Sequence, residues 1–247
     1  MASKKVLGVL PARYASTRLP GKPLLDIAGK PMIQHVYERA LSAKLLDECV
    51  VATDDERIFE AVRAFGGLVE MTAPTHPNGS CRVAEVAAKS DATHIINIQG
   101  DEPLLDPRAL DELIGAMLQD ETVLSATLCT PILDQASVHN PNVVKVVRGL
   151  NGNALYFSRS PIPFARNAEG LMMWEHLGVY AFTRDFLQIF VSLEETPLSL
   201  AESLEQLKVL EHGYAMKVIP TLYPPQGPNV NAPEDLETVR RLMSGMV

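Results

Sequence analysis

Cysteine is scarce in this chain of 247 residues, and its scarcity excludes two kinds of site. The three cysteines, Cys49, Cys81 and Cys129, lie far apart, and no Cys-x-x-Cys pair occurs. A disulfide framework needs an even set of cysteines, and a cysteine zinc site needs closely spaced pairs. We therefore expect neither, and we expect a cytoplasmic protein.

Long hydrophobic runs are missing as well. No segment approaches the roughly 18–20 consecutive apolar residues of a membrane helix. The apolar run at residues 6–10 leads directly into Pro11, whereas a secretory signal needs a longer apolar stretch and a small-residue cleavage site. We expect no membrane span, and we interpret residues 6–10 as a buried first strand.

An excess of positive charge is also absent, because 22 Lys and Arg face 30 Asp and Glu, a formal net charge of −8. This argues against a general nucleic-acid-binding protein, whose surface is usually basic, although it leaves room for a local basic pocket. Hydrophobic residues make up 47% of the chain and charged residues 21%. These fractions are ordinary for a folded domain and unlike those of a disordered chain.

The apolar residues that are present alternate between strand-like and helix-like patterns. Strands are predicted at residues 6–10, 49–52, 68–71, 94–98, 124–128, 143–147, 177–182 and 216–219. Helices are predicted at residues 32–43, 55–65, 83–89, 107–118 and 199–211, with a last helix opening at Asn231. Several strand runs are apolar throughout, as in strands covered on both faces. The alternation predicts one α/β domain over residues 1–247, with a mixed, mainly parallel sheet flanked by helices.

The loop after the first strand concentrates phosphate-binding chemistry. Residues 11–23 carry Arg13, Arg18 and Lys22 together with Ser16. Such a loop can surround phosphates with cationic groups and backbone N–H groups, although its glycine spacing matches neither the dinucleotide-binding nor the Walker pattern. A solvated surface loop is the alternative, but ligand loops belong at the carboxyl ends of buried parallel strands.

The segment Gln99-Gly100-Asp101-Glu102-Pro103 follows the strand predicted at residues 94–98. A carboxylate reached through a glycine at a strand end is well placed to hold a divalent metal beside phosphates. A turn that uses Asp and Gly for their backbone preferences is the alternative. The polycationic first loop favours the metal site at Asp101.

Two further loops carry arginines. Arg82 follows residues 78–81, where it could contact a base or a carbonyl, and a simple helix cap is the alternative for this segment. Arg159 follows Tyr156-Phe157-Ser158, and its planar guanidinium suits the capture of a carboxylate. An exposed surface arginine is the alternative there.

Six motifs follow one another along the chain. They are Leu10-Pro-Ala-Arg-Tyr-Ala-Ser-Thr-Arg-Leu-Pro-Gly-Lys-Pro, Val51-Ala-Thr-Asp, Asn97-Ile-Gln-Gly-Asp-Glu-Pro, Ala154-Leu-Tyr-Phe-Ser-Arg, His176-Leu-Gly-Val-Tyr and Leu204-Glu-Gln-Leu-Lys-Val-Leu-Glu. In this order they resemble the CMP-Kdo synthetases, the 3-deoxy-manno-octulosonate (Kdo) cytidylyltransferases, over about residues 6–242. The first and third motifs are shared with other sugar nucleotidyltransferases, whereas the last three are specific to the Kdo branch.

The resemblance implies a reaction in which CTP and Kdo give CMP-Kdo and pyrophosphate with Mg²⁺, in the cytoplasm, for lipopolysaccharide biosynthesis. It implies a nucleotidyltransferase fold whose smaller antiparallel sheet, at about residues 143–182, binds the sugar and forms a homodimer interface. Its implied site residues fall into three groups. They are Arg13, Lys22, Ser16 and Arg18 for the triphosphate, Arg82 and Gln99 near the cytidine with Asp101 on the metal, and Arg159, His176, Tyr180, Glu205 and Gln206 for the sugar.

The sugar residues have alternatives that the chain itself leaves open. On the helix predicted at residues 199–211, the packing stripe is Leu200, Leu204 and Leu207, so Glu205 and Gln206 fall away from its centre. Either a ligand or solvent would satisfy that position. His176 could equally be a hydrogen-bonded histidine at a strand start.

The sequence departs from the family pattern at two positions. Cys81 stands where an acidic residue is usual, and Asn231 replaces the aspartate that is the family's second protein ligand to Mg²⁺. Asparagine keeps an oxygen and suits a helix N-cap, but it lacks the charge that a hard cation prefers. Weaker Mg²⁺ binding, another metal, another acid sugar such as an amino-Kdo or a sialic-type acid, or CTP binding without turnover would each fit these changes.

Overall fold

Continuous apolar runs become the central strands of one mixed sheet. The structure is a computed structural model and describes residues 4–15 and 19–245. Its strands are β1 (Val6–Ala12), β2 (Asp26–Ile27), β3 (Lys30–Pro31), β4 (Glu48–Thr53), β5 (Val69–Met71), β6 (His94–Asn97), β7 (Ser125–Pro131), β8 (Lys145–Arg148), β9 (Ala154–Ser158), β10 (Trp174–Thr183) and β11 (Lys217–Pro220). Strand β1 lies between β4 and β6 and is parallel to both.

The sheet has the order β11-β7-β10-β6-β1-β4-β5. The run β6-β1-β4-β5 is parallel, as is the pair β7-β11, whereas β10 is antiparallel to both of its neighbours in that order. Strands β8 and β9 form an antiparallel hairpin that joins β10. The predicted fold class is confirmed. The smaller antiparallel part is continuous with the main sheet through β10.

Helices cover both faces of this sheet. They are α1 (Met32–Leu41), α2 (Glu56–Ala64), α3 (Gly79–Lys89), α4 (Pro107–Gln119), α5 (Gln135–His139), α6 (Arg184–Ser192), α7 (Pro197–Glu202), α8 (Leu207–Glu211) and α9 (Pro233–Met243). One apolar core joins the sheet to α1, α2 and α4, and a second core joins it to α3, α6 and α8. Across the described residues, none of these helices is long and apolar enough to span a membrane.

The helix predicted at residues 199–211 is wrong in its continuity. Helix α7 already starts at Pro197, and it ends because Ser203 adopts a left-handed conformation with φ +51°. Thr196 is the N-cap of α7, and its N–H donates to the Ser199 hydroxyl at 3.0 Å. Glu205 and Gln206 therefore lie in the turn between α7 and α8.

The predicted N-cap of the last helix is also wrong. Pro233 occupies the first helical position, so Ala232 stands at the cap. The Asp235 carboxylate accepts from the N–H groups of Asn231 and Ala232 at 2.9 and 2.8 Å. The Asn231 side chain is thereby left available for another contact.

Candidate active site

A cleft of about 290 Å³ opens at the carboxyl end of β6. The loop after β6, strand β10, the α7–α8 turn and the segment before α9 contribute its walls. Five of the lining residues were predicted from the sequence, namely Gln99, Asp101, Tyr180, Glu205 and Gln206. The other lining residues are Glu102, Gly178, Ser203, Leu204 and Asn229. Residues assigned to the nucleotide side and to the sugar side thus share one cleft.

Lys22, from the segment after β1, contacts Asp101 in the wall of this cleft. Gly21 turns the chain with φ +68°, where a Cβ would meet the Tyr14 ring at 3.1 Å. Lys22 Nζ then lies 2.7 Å from Asp101 Oδ2, 2.7 Å from the Val230 carbonyl and 3.5 Å from Asn231 Oδ1. We call these three oxygens the cation cage.

The cation cage has the donor chemistry of a hard divalent ion. A carboxylate, a backbone carbonyl and an amide oxygen are the ligand types that Mg²⁺ and Ca²⁺ prefer. The Val230 N–H donates to the Asp101 carbonyl at 2.9 Å, which ties the two walls of the cage together. Among the described residues no cluster of three or more His, Cys, Asp or Glu side chains is arranged to hold a metal. Asp101 therefore supplies the charge of the cage.

Glu102 is a site residue that sequence reasoning missed. Its side chain is 3% exposed and accepts from Asn229 Nδ2 at 3.1 Å. Burial first, and the neighbouring Asp101 charge second, raise the pKa of Glu102 to about 8. The residue belongs to a motif already noted in the sequence, but no pattern there shows that its carboxyl turns inward.

The Arg13 guanidinium is held by backbone carbonyls of the segment just before α3. Its Nη2 donates to the His76 carbonyl at 2.8 Å, and its Nη1 donates to the Pro77 carbonyl at 3.3 Å. Ser16 and Arg18, which were also predicted at the triphosphate, lie outside the described residues.

Glu205 faces α3 as well as the cleft. It accepts from Asn78 Nδ2 at 2.9 Å and from the Ser80 hydroxyl. Asn97 Nδ2 donates to the same Ser80 oxygen at 3.4 Å, and Gln99 Nε2 donates to Asn97 Oδ1 at 3.5 Å. Burial raises the pKa of Glu205. A chain of hydrogen bonds therefore links Gln99, on the predicted nucleotide side, to Glu205, on the predicted sugar side.

Arg82 lies in the interior and is not among the residues that line the cleft. Its guanidinium is fully buried, with Nη2 3.0 Å from Asp54 Oδ2 and Nη1 donating to the Thr72 hydroxyl. Cys81, the first departure from the family pattern, lies in the first turn of α3, where its N–H donates to Asn78 Oδ1 at 2.9 Å. The predicted contact of Arg82 with a base stays a prediction.

Arg159 is held against the α7–α8 turn by backbone carbonyls. Nε donates to the Glu202 carbonyl at 2.7 Å, Nη1 to the Pro141 carbonyl at 3.0 Å and Nη2 to the Ser203 carbonyl at 3.4 Å. The Glu202 carboxylate accepts from the Arg159 N–H at 2.8 Å. Because Ser203 lines the cleft, this arrangement places a guanidinium beside it.

Lys145 is a second residue that sequence reasoning missed. Its side chain is fully buried at the start of β8. Nζ donates to three backbone carbonyls, those of Arg159 and Val143 at 2.6 Å each and that of Asn140 at 3.0 Å. The ammonium therefore ties the backbone of Arg159 to the loop before β8.

Gln206 and His176 are both buried, with different surroundings. Gln206 is 2% exposed, and its Nε2 makes no hydrogen bond within the described residues. His176 lies against the rings of Phe157 and Tyr180, and its Nε2 is 3.0 Å from the Thr127 hydroxyl. Burial lowers the pKa of His176 to about 3, so the ring is neutral. His176 contacts Tyr180 and is not among the residues that line the cleft.

The chain is similar to characterised families over nearly its whole length. A family model described as Cytidylyltransferase matches residues 7–219. The 3-deoxy-manno-octulosonate cytidylyltransferase of Geobacter metallireducens is 49% identical over 251 residues, which cover 97% of this chain and 98% of the relative. The Escherichia coli protein of the same name is 49% identical and covers 98% of this chain and 97% of its own.

Solved structures agree with the sequence relatives. A structure of CMP:2-keto-3-deoxy-manno-octonic acid synthetase complexed with CTP superposes with a TM-score of 0.94 at 48% identity, covering 99% of this chain and 100% of the other. The 4-diphosphocytidyl-2C-methyl-D-erythritol synthase of Anaerococcus prevotii superposes with a TM-score of 0.64 at 12% identity. The latter likeness concerns the fold alone.

Proposed function

This chain belongs to the 3-deoxy-manno-octulosonate cytidylyltransferase family, and from that premise we propose that it transfers CMP from CTP to the anomeric hydroxyl of Kdo. The observation that carries the proposal is the shared cleft, in which Asp101 and Gln99 face Tyr180, Glu205 and Gln206. A transferase must bring a nucleotide and its acceptor into contact, and a single cleft with both sets of residues meets that need.

In the proposed reaction the anomeric oxygen attacks the α-phosphorus of CTP in line. A new oxygen–phosphorus bond forms, the bond to the bridging oxygen of the β-phosphate breaks, and pyrophosphate leaves. The hydroxyl proton passes to a base or to water. Catalysis of this kind consists mainly of positioning the reactants and neutralising charge.

On the nucleotide side we assign Arg13 and Lys22 to the triphosphate, assisted by Ser16 and Arg18. Gln99 and Arg82 are assigned to the cytidine. For Gln99 the support is its place in the cleft wall. For Arg82 the assignment rests on the motif alone, because Asp54 and Thr72 already engage its guanidinium.

On the sugar side we assign Arg159 to the Kdo carboxylate. A planar guanidinium binds a carboxylate through two parallel hydrogen bonds. Gln206 contributes a buried Nε2 that has no partner among the described residues and can donate to a sugar hydroxyl. Tyr180 and Glu205 complete the wall, and His176 packs against the ring of Tyr180.

We assign Asp101 and Asn231 to a divalent metal, which we propose to be Mg²⁺. The fit rests on the cation cage, whose oxygens already surround a positively charged group. When bound, Mg²⁺ would neutralise phosphate charge and orient the leaving pyrophosphate. Because Asn231 carries no charge, we expect the metal to bind more weakly than it would with an aspartate there.

The experiment that tests the function is pyrophosphate release from CTP and Kdo, titrated first with Mg²⁺ and then with Mn²⁺. It is run on the unmodified protein and on Asn231→Asp. Release by the unmodified protein is expected, with a severalfold lower metal requirement in Asn231→Asp. Release only by Asn231→Asp would mean an intact catalytic frame with a disabled metal ligand. No release by either protein would contradict the assignment to Kdo.

Two other functions are tested in the same series. A related acid sugar, such as an amino-Kdo or a sialic-type acid, would reveal itself by competing with Kdo or replacing it. CTP binding without turnover is favoured by one observation, the single carboxylate in the cation cage. It would be seen as CTP binding by calorimetry with no pyrophosphate from any acid sugar.

We further propose that the enzyme acts in the cytoplasm in lipopolysaccharide biosynthesis and is a homodimer. The sugar-binding and dimerisation subregion is placed at about residues 143–182 of a single domain. Exposed apolar side chains in or beside this part of the chain, including Leu155, Phe164 and Met172, support an interface there. Light scattering coupled to gel filtration tests this interface. We expect the mass of a dimer for the unmodified protein and that of a monomer for Phe164→Asp.

A further inference from the structure

The cation cage holds the ammonium of this protein's own lysine. Lys22 Nζ is 2.7 Å from both Asp101 Oδ2 and the Val230 carbonyl, and the two side chains are 19% and 21% exposed. Asn231 Oδ1 lies 3.5 Å away on the third side. Two of these three oxygens, those of Asp101 and Asn231, are the ones that the proposed function assigns to the divalent metal.

We propose that Lys22 and the divalent metal compete for the cation cage, so that entry of the metal expels the Lys22 ammonium toward the triphosphate. The inference rests on the proposed function of this site and adds a regulatory step to it. In the metal-free protein Lys22 stabilises the cage, and in the loaded protein it becomes a phosphate ligand. One residue therefore serves both states.

Geometry makes the two occupants mutually exclusive. A magnesium ion held by the oxygens of the cation cage would need metal–oxygen distances of about 2.0–2.1 Å. The ammonium lies 2.7 Å from the same two oxygens. A divalent ion on these oxygens would therefore share its ligands with the ammonium, and the repulsion between the two cations in a partly buried site opposes joint occupancy.

Expulsion of Lys22 needs only a rotation of its side chain. The Lys22 N–H donates to the Leu19 carbonyl at 3.0 Å, and its carbonyl accepts from the Leu25 N–H at 3.2 Å. These bonds hold the backbone, so the ammonium can change place only through rotation about the bonds of the four-carbon stem. The stem is long enough to carry the ammonium several ångströms without moving the loop.

The exchange also changes the charge that CTP meets. Before exchange, the positive charge of Lys22 and the negative charge of Asp101 cancel. After exchange, the divalent ion leaves one positive charge in the cage, and the released Lys22 adds another beside it. The site thus becomes strongly attractive to a triphosphate only when the metal has entered, which predicts that the metal promotes CTP binding through Lys22 as well as directly.

The first test measures Mn²⁺ binding alone, without CTP or sugar, by electron paramagnetic resonance of the free ion. The proteins are the unmodified chain, Lys22→Met and the matched control Lys30→Met. Lys30 pairs with Glu38 at 2.6 Å on the surface, where both side chains are 44% exposed. Lys22→Met is expected to bind Mn²⁺ about tenfold more tightly or better, and Lys30→Met within about twofold of the unmodified protein.

Two results would overturn the exchange. One is unchanged or weaker Mn²⁺ binding by Lys22→Met, as expected of a lysine that serves only as a phosphate ligand. The other is an equal gain in both lysine variants, which would indicate a general effect of net charge. Asp101→Asn combined with Lys22→Met must lose the gain, because Asp101 supplies the charge of the cage.

A second measurement uses the unmodified protein and does not depend on whether a variant folds. The reactivity of each lysine toward an acylating reagent is followed by mass spectrometry, with and without Mg²⁺. Lys22 should react severalfold faster when Mg²⁺ is present, while Lys30 should not change. Equal reactivity of Lys22 in both conditions would refute the exchange. Neither readout needs catalysis, so failed pyrophosphate release with intact exchange would reject the proposed function alone.

Discussion

Replacing the buried lysine at the start of β8 tests how the proposed sugar site is held in place. In Lys145→Met the side chain keeps a similar length and loses the ammonium. Three backbone carbonyls then lose a charged donor, those of Asn140, Val143 and Arg159. The change thus cuts the tie between Arg159 and the loop before β8 without altering any residue that we assign to the substrates.

The cost to stability follows from these three bonds. A hydrogen bond to a charged group contributes about 1.5–3 kcal/mol. Two terms reduce the total. The Asn140 carbonyl keeps a bond from the Val143 N–H at 3.1 Å, and burial lowers the pKa of Lys145, which shows that desolvation opposes the charged form. We expect the free energy of unfolding to fall by about 2–4 kcal/mol and Tm to fall by about 5–15 °C.

In Lys145→Met we expect KM to change for Kdo and not for CTP. Arg159 is assigned to the Kdo carboxylate, and in Lys145→Met its backbone is no longer held on that side. Loss of precise placement of a binding group is expressed mainly in KM. We expect KM for Kdo to rise about tenfold while KM for CTP changes less than about twofold, measured by pyrophosphate release at a temperature where the variant is folded.

Lys217→Met is the matched control. Lys217 also donates to a backbone carbonyl at 2.7 Å, but that carbonyl belongs to the exposed Asn151. It should lower stability by less than about 1 kcal/mol and leave both KM values unchanged. The reasoning would be refuted if Lys145→Met raised both KM values in parallel, or if it lost stability while KM for Kdo stayed the same.

Two more predictions concern His176 and Gln206, two buried residues assigned to the sugar. Burial lowers the pKa of His176 to about 3, so only the unfolded chain takes up a proton near pH 6.5, and the free energy of unfolding should decline below that pH, by about 2 kcal/mol at pH 5. Urea unfolding at pH 7.5 and 5 should show that His176→Gln lacks this decline, and an equal decline in both proteins would contradict it. Gln206→Leu removes a buried Nε2 without a partner among the described residues, so it should raise stability by about 1 kcal/mol and raise KM for Kdo at least tenfold. A loss of stability with normal KM would contradict this.

The strands β1 and β4 of the parallel region were predictable because each is a short apolar run that leads into polar residues. The runs predicted at residues 6–10 and 49–52 became β1 (Val6–Ala12) and β4 (Glu48–Thr53), each longer by a few residues. Burial on both faces leaves a continuous signal of this kind. By contrast, β9 (Ala154–Ser158) has an exposed and a half-buried residue, Leu155 and Tyr156, between buried ones. Its residues form a motif in the sequence, but their pattern predicts no strand.

The turn that carries Glu205 and Gln206 was not predictable from periodicity. Leu200, Leu204 and Leu207 are spaced as one helical stripe, yet Leu200 is 64% exposed while Leu207 is fully buried. The helix breaks at Ser203, a serine in a left-handed conformation. Glycine or asparagine usually occupies such a position, so the serine at 203 does not predict the end of a helix. The break is also what turns Gln206 inward.

The cation cage shows which part of a site a sequence can reveal. Lys22 and Asp101 are 79 positions apart, but they follow β1 and β6, which are parallel neighbours in the sheet. Residues at the carboxyl ends of neighbouring strands meet, so this pair could be inferred from strand order. The third oxygen belongs to the Val230 backbone, 208 positions from Lys22. A backbone carbonyl leaves no trace in a pattern of side chains. The charged partners of the site were therefore open to prediction, whereas the oxygen that lets the cage hold an ammonium could be seen only once the chain was folded.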